Sequence, residues 1–189
     1  MYTNKQEGKT DLRVRRTRKL LWEALLDLLE SRAFESLSVQ EVCDRAMVHR
    51  TTFYKHFEDK HHLLYFGLEA TNELFKNRSY EDRILHPMKL IQSWGHTKQF
   101  QTLVKAATEN SFISNMMMKH GAESLRQDLL QAQKDGVNFK VPVDIVAAFY
   151  SGALSSLCAW WMKDGMMHSP EEMDNYLSQM INRNLFFPE

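Results

Sequence analysis

Residues 38–60 have the sequence SVQEVCDRAMVHRTTFYKHFEDK, and this stretch decides the fold. Ser38 and Glu41 form a Ser-x-x-Glu capping box, which predicts a helix beginning at Val39. Four residues at helical spacing then give this helix one buried stripe: Val39, Val42, Cys43 and Ala46. Met47 and Val48 interrupt the pattern, so we expect a tight turn there.

A second short helix is predicted from about His49 to His56. Phe53 and Phe57 lie four residues apart on its inner face, and the other positions are mostly polar. A helix that buries two aromatic rings and exposes Arg, Thr, Tyr and Lys is typical of a recognition helix that enters the major groove of DNA. Arg50 has two parallel donors that suit guanine, and threonine offers a methyl group to thymine or a hydroxyl to either strand.

Residues 38–64 resemble the helix-turn-helix of the TetR family of bacterial transcriptional repressors. The marks of this resemblance are Thr52-Phe53-Tyr54-Lys55-His56-Phe57, then Asp59-Lys60 and Leu63-Leu64. First-turn residues would meet base edges, and Tyr54 and His56 would donate to phosphate oxygens. Lys60 resembles the family's phosphate-contacting lysine. The predicted DNA contacts are Ser38, Gln40, His49, Arg50, Thr51, Thr52, Tyr54, Lys55, His56 and Lys60.

Two positions depart from the family pattern. Met47 stands where the family usually has a turn glycine, and a left-handed conformation costs a non-glycine residue about 1–2 kcal/mol. His49 replaces the usual small hydroxyl residue at the start of the second helix, which costs about 1 kcal/mol of capping. Both departures concern the angle of the recognition helix rather than its existence.

The composition is that of a compact, mostly helical protein: 189 residues, 43% hydrophobic, with four prolines. We expect no membrane span, because no run approaches about 18 apolar residues, and the polar N-terminus lacks a signal-peptide profile. Cys43 and Cys158 are too few for a disulfide framework and are expected to be two buried thiols in a reducing bacterial cytoplasm.

The net charge of zero argues at first against a nucleic-acid partner, but the distribution of charge matters more than the sum. Five basic residues cluster near the start of the first helix: Arg13, Arg15, Arg16, Arg18 and Lys19. A run of this kind is usually a solvated helix face. Because it lies directly ahead of the helix-turn-helix motif, we favour contact with DNA phosphates.

We expect an all-α fold in which a fourth helix joins a three-helix head to a bundle of about five helices. Three regions follow: a disordered tail at 1–10, a DNA-binding domain at 11–60, and a ligand-binding and dimerisation domain at 61–189. Gly67 in the fourth helix marks a close packing contact or a slight bend. The predicted helices are 11–32, 39–46, 49–56, 59–77, 87–94, 97–108, 111–134, 142–163 and one that follows Ser169-Pro170.

The last two helices predict a dimer interface. Small side chains form a ridge on the penultimate helix, at Ala148, Gly152, Ser155 and Ala159, and such a ridge lets another helix approach closely. The residues predicted for the interface on the last helix are Tyr176, Leu177 and Met180. Trp160-Trp161 and the capping sequence Ser169-Pro170-Glu171-Glu172 resemble a TetR subgroup similar to the activator of dihydroxyacetone kinase genes. The resemblance implies a four-helix bundle with a second subunit; the alternative is that these helices pack only within one chain.

Other chemistry finds little support in the sequence. Eight histidines invite a metal interpretation, but His61 and His62 are adjacent and no zinc-site spacing occurs. No motif of an enzyme active site is present, and we expect no cofactor. Eleven methionines would suit a cavity for an apolar effector, although methionine more often fills ordinary helical cores.

These observations predict a dimeric transcriptional regulator of TetR type, most consistent with a repressor. It would bind a palindromic operator and respond to a small-molecule effector. The alternative is a helical ligand-binding or protein-interaction module without sequence-specific DNA binding, which Met47, His49 and the neutral charge keep open. A third hypothesis, a helical enzyme, has no motif behind it.

Overall fold

The computed structural model describes residues 4–75, 78–95 and 98–181. In this part of the chain all regular structure is helical, with ten α-helices, one short 3-10 helix and no strand. The predicted all-α fold class is therefore confirmed. The chain divides into two compact units, Met1–Leu68 and Glu69–Glu189.

The N-terminal unit contains three helices and the first turns of a fourth. They are α1 (Asn4–Leu29), α2 (Val39–Ala46), α3 (Arg50–Phe53) and α4 (Lys60–Phe75), with the 3-10 helix Phe34–Ser36 between α1 and α2. Helix α1 begins at Asn4, within the stretch 1–10 that was expected to be a disordered tail. Residues 1–3 of the expected tail lie outside the described residues, as does the expected end of the fourth helix at Asn77.

The core of the N-terminal unit is built from the residues that helical spacing selects. Leu25, Val42 and Phe53 are fully buried, and Phe57 is 2% exposed. Leu63 and Leu64 in the first turns of α4 are also fully buried. The unit therefore extends to Leu68, past the expected boundary at Lys60.

The C-terminal unit holds the other six helices. They are α5 (Tyr80–Leu85), α6 (Pro87–Gly95), α7 (Lys98–Glu109), α8 (Ser111–Lys134), α9 (Val143–Lys163) and α10 (Pro170–Met180). The expectation of about five helices omits α5. A capping signal marks it, because the Ser79 hydroxyl accepts a hydrogen bond of 3.1 Å from the Asp82 backbone N–H.

One core of the C-terminal unit joins α5, α8, α9 and α10. Its buried residues are Ile84, Leu125, Leu129, Val146, Ala147, Tyr150 and Leu177. Two polar contacts accompany this core. The Tyr150 hydroxyl donates to the Ile84 carbonyl, and Arg83 Nε donates to Asp128 Oδ2 at 2.9 Å.

The start of α10 confirms the predicted capping box. Glu172 N–H donates to Ser169 Oγ at 3.2 Å, Ser169 N–H donates to Glu172 Oε2 at 2.8 Å, and proline occupies the first position. From its second turn α10 also caps another helix. Buried Asp174 accepts hydrogen bonds from the backbone N–H groups of Met88 at 2.8 Å and Lys89 at 3.3 Å, at the start of α6.

Helix α9 corrects the expectation that no segment approaches a membrane span. By length and composition alone Val143–Lys163 is apolar enough to cross a membrane, and only 28% of its most apolar window is buried within the chain. The same test is passed by core helices of proteins that never enter a membrane.

Gly67 is predicted to be intolerant of any side chain. A Cβ at this position would lie less than 3.0 Å from ring carbons of Trp22, which is buried against α4. Gly67→Ala should therefore destabilise the protein by about 1–3 kcal/mol, because overpacking outweighs the helix propensity of alanine. Urea-induced unfolding of the full chain, with hydrogen–deuterium exchange to locate the loss in α1 and α4, measures the effect.

Gly121→Ala is the matched control, since Gly121 lies within α8 and a Cβ there meets no atom within 4 Å. It should leave stability unchanged or raise it by up to about 1 kcal/mol. Equal effects of the two substitutions would contradict the close contact with Trp22.

The second prediction concerns pH. The Arg32 guanidinium and the Ser38 cap hold the pKa of Glu41 down, to about 2 from its ordinary 4.5. A carboxylate with a lowered pKa stabilises the folded state above its unfolded pKa, and this contribution is lost as the pH falls through the folded value. Protection of α2 amides against hydrogen exchange should therefore exceed that of Glu41→Gln at pH 7. The difference should disappear between about pH 4.5 and pH 2; a difference independent of pH would refute this assignment.

Candidate nucleic-acid interface

The helix α2 begins with the predicted capping box and ends in a turn whose backbone is strained. Glu41 N–H donates to Ser38 Oγ at 3.2 Å, and Ser38 N–H donates to Glu41 Oε2 at 2.8 Å. Met47 closes α2 with φ 53° and ψ 41°, the left-handed conformation expected of a turn glycine. The methionine therefore keeps the turn at a backbone cost of about 1–2 kcal/mol. Its side chain is 93% exposed and meets no steric obstacle.

The recognition helix is shorter than predicted. α3 covers Arg50–Phe53, whereas the sequence predicts a helix from about His49 to His56. His49 is the N-cap and makes no side-chain capping bond, as its departure from the family pattern predicts. After α3 the chain continues in single turns, in which Phe57 N–H donates to the Phe53 carbonyl at 2.9 Å. These turns carry Phe57 into the core.

Two phenylalanine rings fix this segment, as predicted. Phe53 is fully buried, Phe57 is 2% exposed, and their ring centroids lie 5.6 Å apart. The polar side chains predicted to contact DNA lie away from the two buried rings and reach solvent fully or in part. Exposed side chains are those of Ser38, Gln40, His49, Arg50, Thr51, Tyr54 and Lys55, and partly buried ones are those of Thr52, His56 and Lys60.

Arg50 and Tyr54 are joined on the exposed face. Arg50 Nη2 donates to the Tyr54 hydroxyl at 3.1 Å, and the guanidinium carbon lies 5.5 Å from the centre of the tyrosine ring. The hydrogen bond to Tyr54 raises the pKa of Arg50. A guanidinium has five N–H donors, so this bond orients Arg50 and leaves donors for a base edge.

Two predicted contacts, Ser38 just before α2 and Gln40 within it, already have partners within the chain. The Ser38 hydroxyl donates to Glu41 Oε2 at 2.7 Å while accepting from the Glu41 N–H, so it serves as a helix cap. Gln40 Nε2 donates to Asp44 Oδ1 at 2.7 Å, which leaves the amide oxygen of Gln40 exposed to solvent.

Lys60, which was expected to contact phosphate, makes its hydrogen bonds within the chain. Its ammonium donates to the backbone carbonyls of Phe34 at 2.8 Å, Glu35 at 3.0 Å and Leu37 at 2.7 Å. A lysine has three N–H donors, and all three are occupied. The sequence motif places Lys60 correctly at the start of α4, but it carries no sign of these carbonyl partners.

The basic run on α1 separates into two kinds of side chain. Arg13, Arg15, Arg16 and Lys19 are exposed. The guanidinium carbon of Arg18 instead lies 5.9 Å from the ring centre of Phe57 and 5.6 Å from that of Phe66. This packing could not be predicted from the sequence, because a charge run alone does not show which of its members turns inward.

His56 lies beside this packed arginine. Its pKa is lowered by partial burial and by the positive charges of Arg18 and Lys55. The ring is therefore mainly neutral near pH 7, and it would interact with a phosphate as a neutral hydrogen-bond donor.

A second surface lies on α9 and α10. It is an apolar groove of about 410 Å³ lined by Phe149, Ala153, Ser156, Leu157, Trp160, Leu177, Met180 and Ile181. Phe149 is 61% exposed, Trp160 50% and Met180 66%. Exposed apolar side chains of this size in one patch indicate an interaction surface. A ridge of small side chains does not indicate Phe149 and Trp160, whose large rings lie beside it on α9.

The residues predicted for a dimer interface mostly reach solvent. Ala148, Ala159, Tyr176 and Met180 are exposed, and Gly152 and Ser155 are partly buried. Leu177 is the exception, since it is 4% exposed and belongs to the buried core with Val146 and Leu129. The helical stripe of α10 identifies Leu177 as apolar but does not distinguish the side facing α9 from the side facing outward.

In the described residues, no group of three or more His, Cys, Asp or Glu side chains could hold a metal ion. Cys43 and Cys158 are free thiols there, the first buried and the second partly buried.

Two protein-family models match the sequence of this chain. The family model described as a transcriptional regulator C-terminal region matches residues 88–183, and that of bacterial regulatory proteins of the tetR family matches residues 21–65. A curated relative, the uncharacterized HTH-type transcriptional regulator YxbF of Bacillus subtilis (strain 168), is 25% identical over 176 residues. The match covers 87% of this chain and 44% of the relative, so the chain spans less than half the length of that protein.

Solved structures share the fold. A TetR transcriptional regulator from Streptococcus agalactiae 2603V has a TM-score of 0.66 and 21% identity, covering 94% of this chain and 99% of the other. The dihydroxyacetone kinase operon activator DhaS has a TM-score of 0.59 and 18% identity, covering 87% of this chain and 93% of the other. NalD of Pseudomonas aeruginosa, the secondary repressor of a multidrug efflux pump, has a TM-score of 0.57 and 18% identity, covering 93% and 100%.

The family assignment rests on the two sequence models, because structural likeness at these identities shows the fold alone. The C-terminal model spans half of the chain, and the helix-turn-helix model covers the segment that carries Phe53 and Phe57. The chain belongs to the TetR family of bacterial regulatory proteins.

Proposed function

We propose that this protein is a transcriptional regulator that binds a palindromic DNA operator as a homodimer. The observation that carries the proposal is the polar face of α3, held outward by the burial of Phe53 and Phe57. A short helix with this division between its faces can enter the major groove without losing its own core contacts.

The roles of individual residues follow from their exposure and chemistry. His49, Arg50, Thr51 and Thr52 would meet base edges, with Arg50 directed to guanine. Tyr54, Lys55 and His56 would contact phosphates, joined by the exposed basic residues of α1. Gln40 contributes its free amide oxygen as an acceptor. Lys60 is not among the proposed contacts, because its ammonium donates to three backbone carbonyls, and Ser38 serves as a helix cap.

The homodimer is supported by the apolar groove on α9 and α10. A second copy would cover Phe149, Trp160, Tyr176 and Met180 and complete a four-helix bundle at the ridge of small residues. A symmetric pair would place its recognition helices about 34–36 Å apart, which corresponds to one turn of DNA.

Regulation by an apolar small molecule is also proposed. An effector that binds one geometry of the C-terminal unit more tightly would shift the dimer toward or away from the operator spacing. We propose repression, released by the effector, in the bacterial cytoplasm. Related proteins include both an operon activator and a repressor by their descriptions, so a reporter gene read with and without the regulator decides the direction.

The alternative function is a helical interaction module without sequence-specific DNA binding. A methionine in place of the turn glycine, Met47, favours this alternative, but the turn adopts the left-handed conformation that the motif requires. The neutral net charge also favours it, but four basic side chains of α1 are exposed ahead of the recognition helix. A salt-dependent mobility shift on DNA upstream of the protein's own gene distinguishes the two functions, because the module would show none.

Arg50→Ala should remove sequence preference at one or two operator positions. If Arg50 reads a base through paired donors, its loss costs about 1–3 kcal/mol of discrimination. Selection of bound duplexes from a randomised library, carried out with wild type and variant, measures the preference position by position.

Lys55→Met is the matched control, because Lys55 is an exposed cation on the same segment and is proposed to contact phosphate only. It should weaken binding to all sequences equally and leave the selected sequence unchanged. The same selected sequence from wild type and Arg50→Ala would remove the proposed role of Arg50.

Phe149→Glu should convert the dimer to a monomer, because a carboxylate would be buried without a partner in the apolar interface. Sedimentation equilibrium should then give a mass near 22.3 kDa, that of one chain. Met118→Glu is the control, since Met118 is 36% exposed on α8 and does not line the groove, and it should leave the dimer intact. A dimeric Phe149→Glu protein would contradict the proposed interface.

A further inference from the structure

The ends of the segment that carries the recognition helix are tied together by one side chain. Lys60 follows this segment, and the carbonyls of Phe34, Glu35 and Leu37 precede it. Three hydrogen bonds of 2.7–3.0 Å thus close residues 38–59, which include α2, the Met47 turn and α3, into a loop.

The closure is reinforced on both sides. The Lys60 ammonium lies 4.8 Å from the centre of the Phe34 ring, and this ring is 1% exposed. The Phe34 ring also meets the His61 ring edge-on, with centroids 5.2 Å apart. Next to Lys60, the Asp59 carboxylate accepts from the His62 N–H at 2.8 Å and caps α4.

The start of residues 38–59 is fixed by a second set of hydrogen bonds. Arg32 donates to the Glu41 carboxylate and, through Nη2, to the Ser36 carbonyl at 2.9 Å. Glu41 in turn belongs to the capping box that begins α2. The carbonyls that receive Lys60 therefore lie in a short stretch that also sets where α2 starts.

This arrangement differs from what a DNA contact requires. A lysine that binds phosphate must have N–H donors directed to solvent, and breaking three good hydrogen bonds to free them would leave carbonyl oxygens without partners. Fixing both ends of a segment also lowers the number of positions it can sample before it binds. Specific recognition depends on such alignment, whereas binding through phosphates tolerates small displacements.

We propose that Lys60 is a positioning residue for sequence-specific DNA recognition. It closes the helix-turn-helix segment between the start of α4 and the 3-10 helix, and it holds α3 at the angle needed to read bases. It contributes no direct phosphate contact. This inference rests on the proposed DNA-binding function, and the test separates the two.

The test compares binding to two duplexes: the sequence that wild type selects from a randomised library, and the same base composition shuffled. Lys60→Met should lower the ratio of specific to non-specific affinity by about tenfold, the size of one lost base contact. The slope of log affinity against log salt concentration should stay that of wild type, because no phosphate contact is removed.

Lys60→Arg distinguishes shape from charge. Its planar guanidinium keeps the positive charge but cannot direct three donors to three converging carbonyls as an ammonium does. It should therefore resemble Lys60→Met in the specificity ratio. Lys55→Met provides the opposite pattern, a salt slope smaller by about one unit with an unchanged ratio.

Each affinity is calculated from the concentration of folded protein. Circular dichroism measures the folded fraction of each variant at the temperature of the binding experiment. A salt slope reduced by about one unit in Lys60→Met, or wild-type behaviour of Lys60→Arg, would overturn the proposal in favour of phosphate contact. A wild-type specificity ratio in folded Lys60→Met would overturn it in favour of a purely stabilising role. Absence of any preferred sequence for wild type would instead refute the proposed function itself.

Discussion

Burial of two phenylalanine rings is the constraint on which the reading surface depends. α3 has only four residues, too short to be stable by its own hydrogen bonds. It holds its shape because Phe53 and Phe57 are excluded from water and packed at 5.6 Å. The polar side chains of residues 49–56 that are proposed to meet DNA are placed by that burial, since positions beside the two rings on a short helix must face outward.

Polar contacts within the chain then decide which outward side chains are available. Arg50 is oriented by Tyr54 yet keeps donors for a base, whereas Ser38 is committed to a cap and Lys60 to three carbonyls. Exposure alone would have counted Ser38 as a contact. The number of occupied donors separates residues that can bind DNA from residues that hold the binding segment in place.

The sequence predicts local features well and inward contacts of charged residues poorly. The capping boxes at Ser38 and Ser169 and the pair of buried rings are all present, because each is encoded by residues a few positions apart. The close contact at Gly67 is also present, although its partner Trp22 lies far away in the sequence, because a glycine inside a helix is itself a signal of close packing. The roles of Arg18 and Lys60, and the burial of Leu177, depend on partners far away in the sequence. Periodicity identifies an apolar or basic residue there but not the direction in which its side chain points.

Chemical protection of DNA tests the central claim most directly, namely that two outward polar faces enter the major groove one turn apart. Dimethyl sulfate methylates guanine N7, which lies in the major groove. In a duplex selected by the wild-type protein, we expect two protected groups of guanines whose centres lie about 34–36 Å apart. Unprotected guanines across the whole bound site, or a single protected group, would contradict the account.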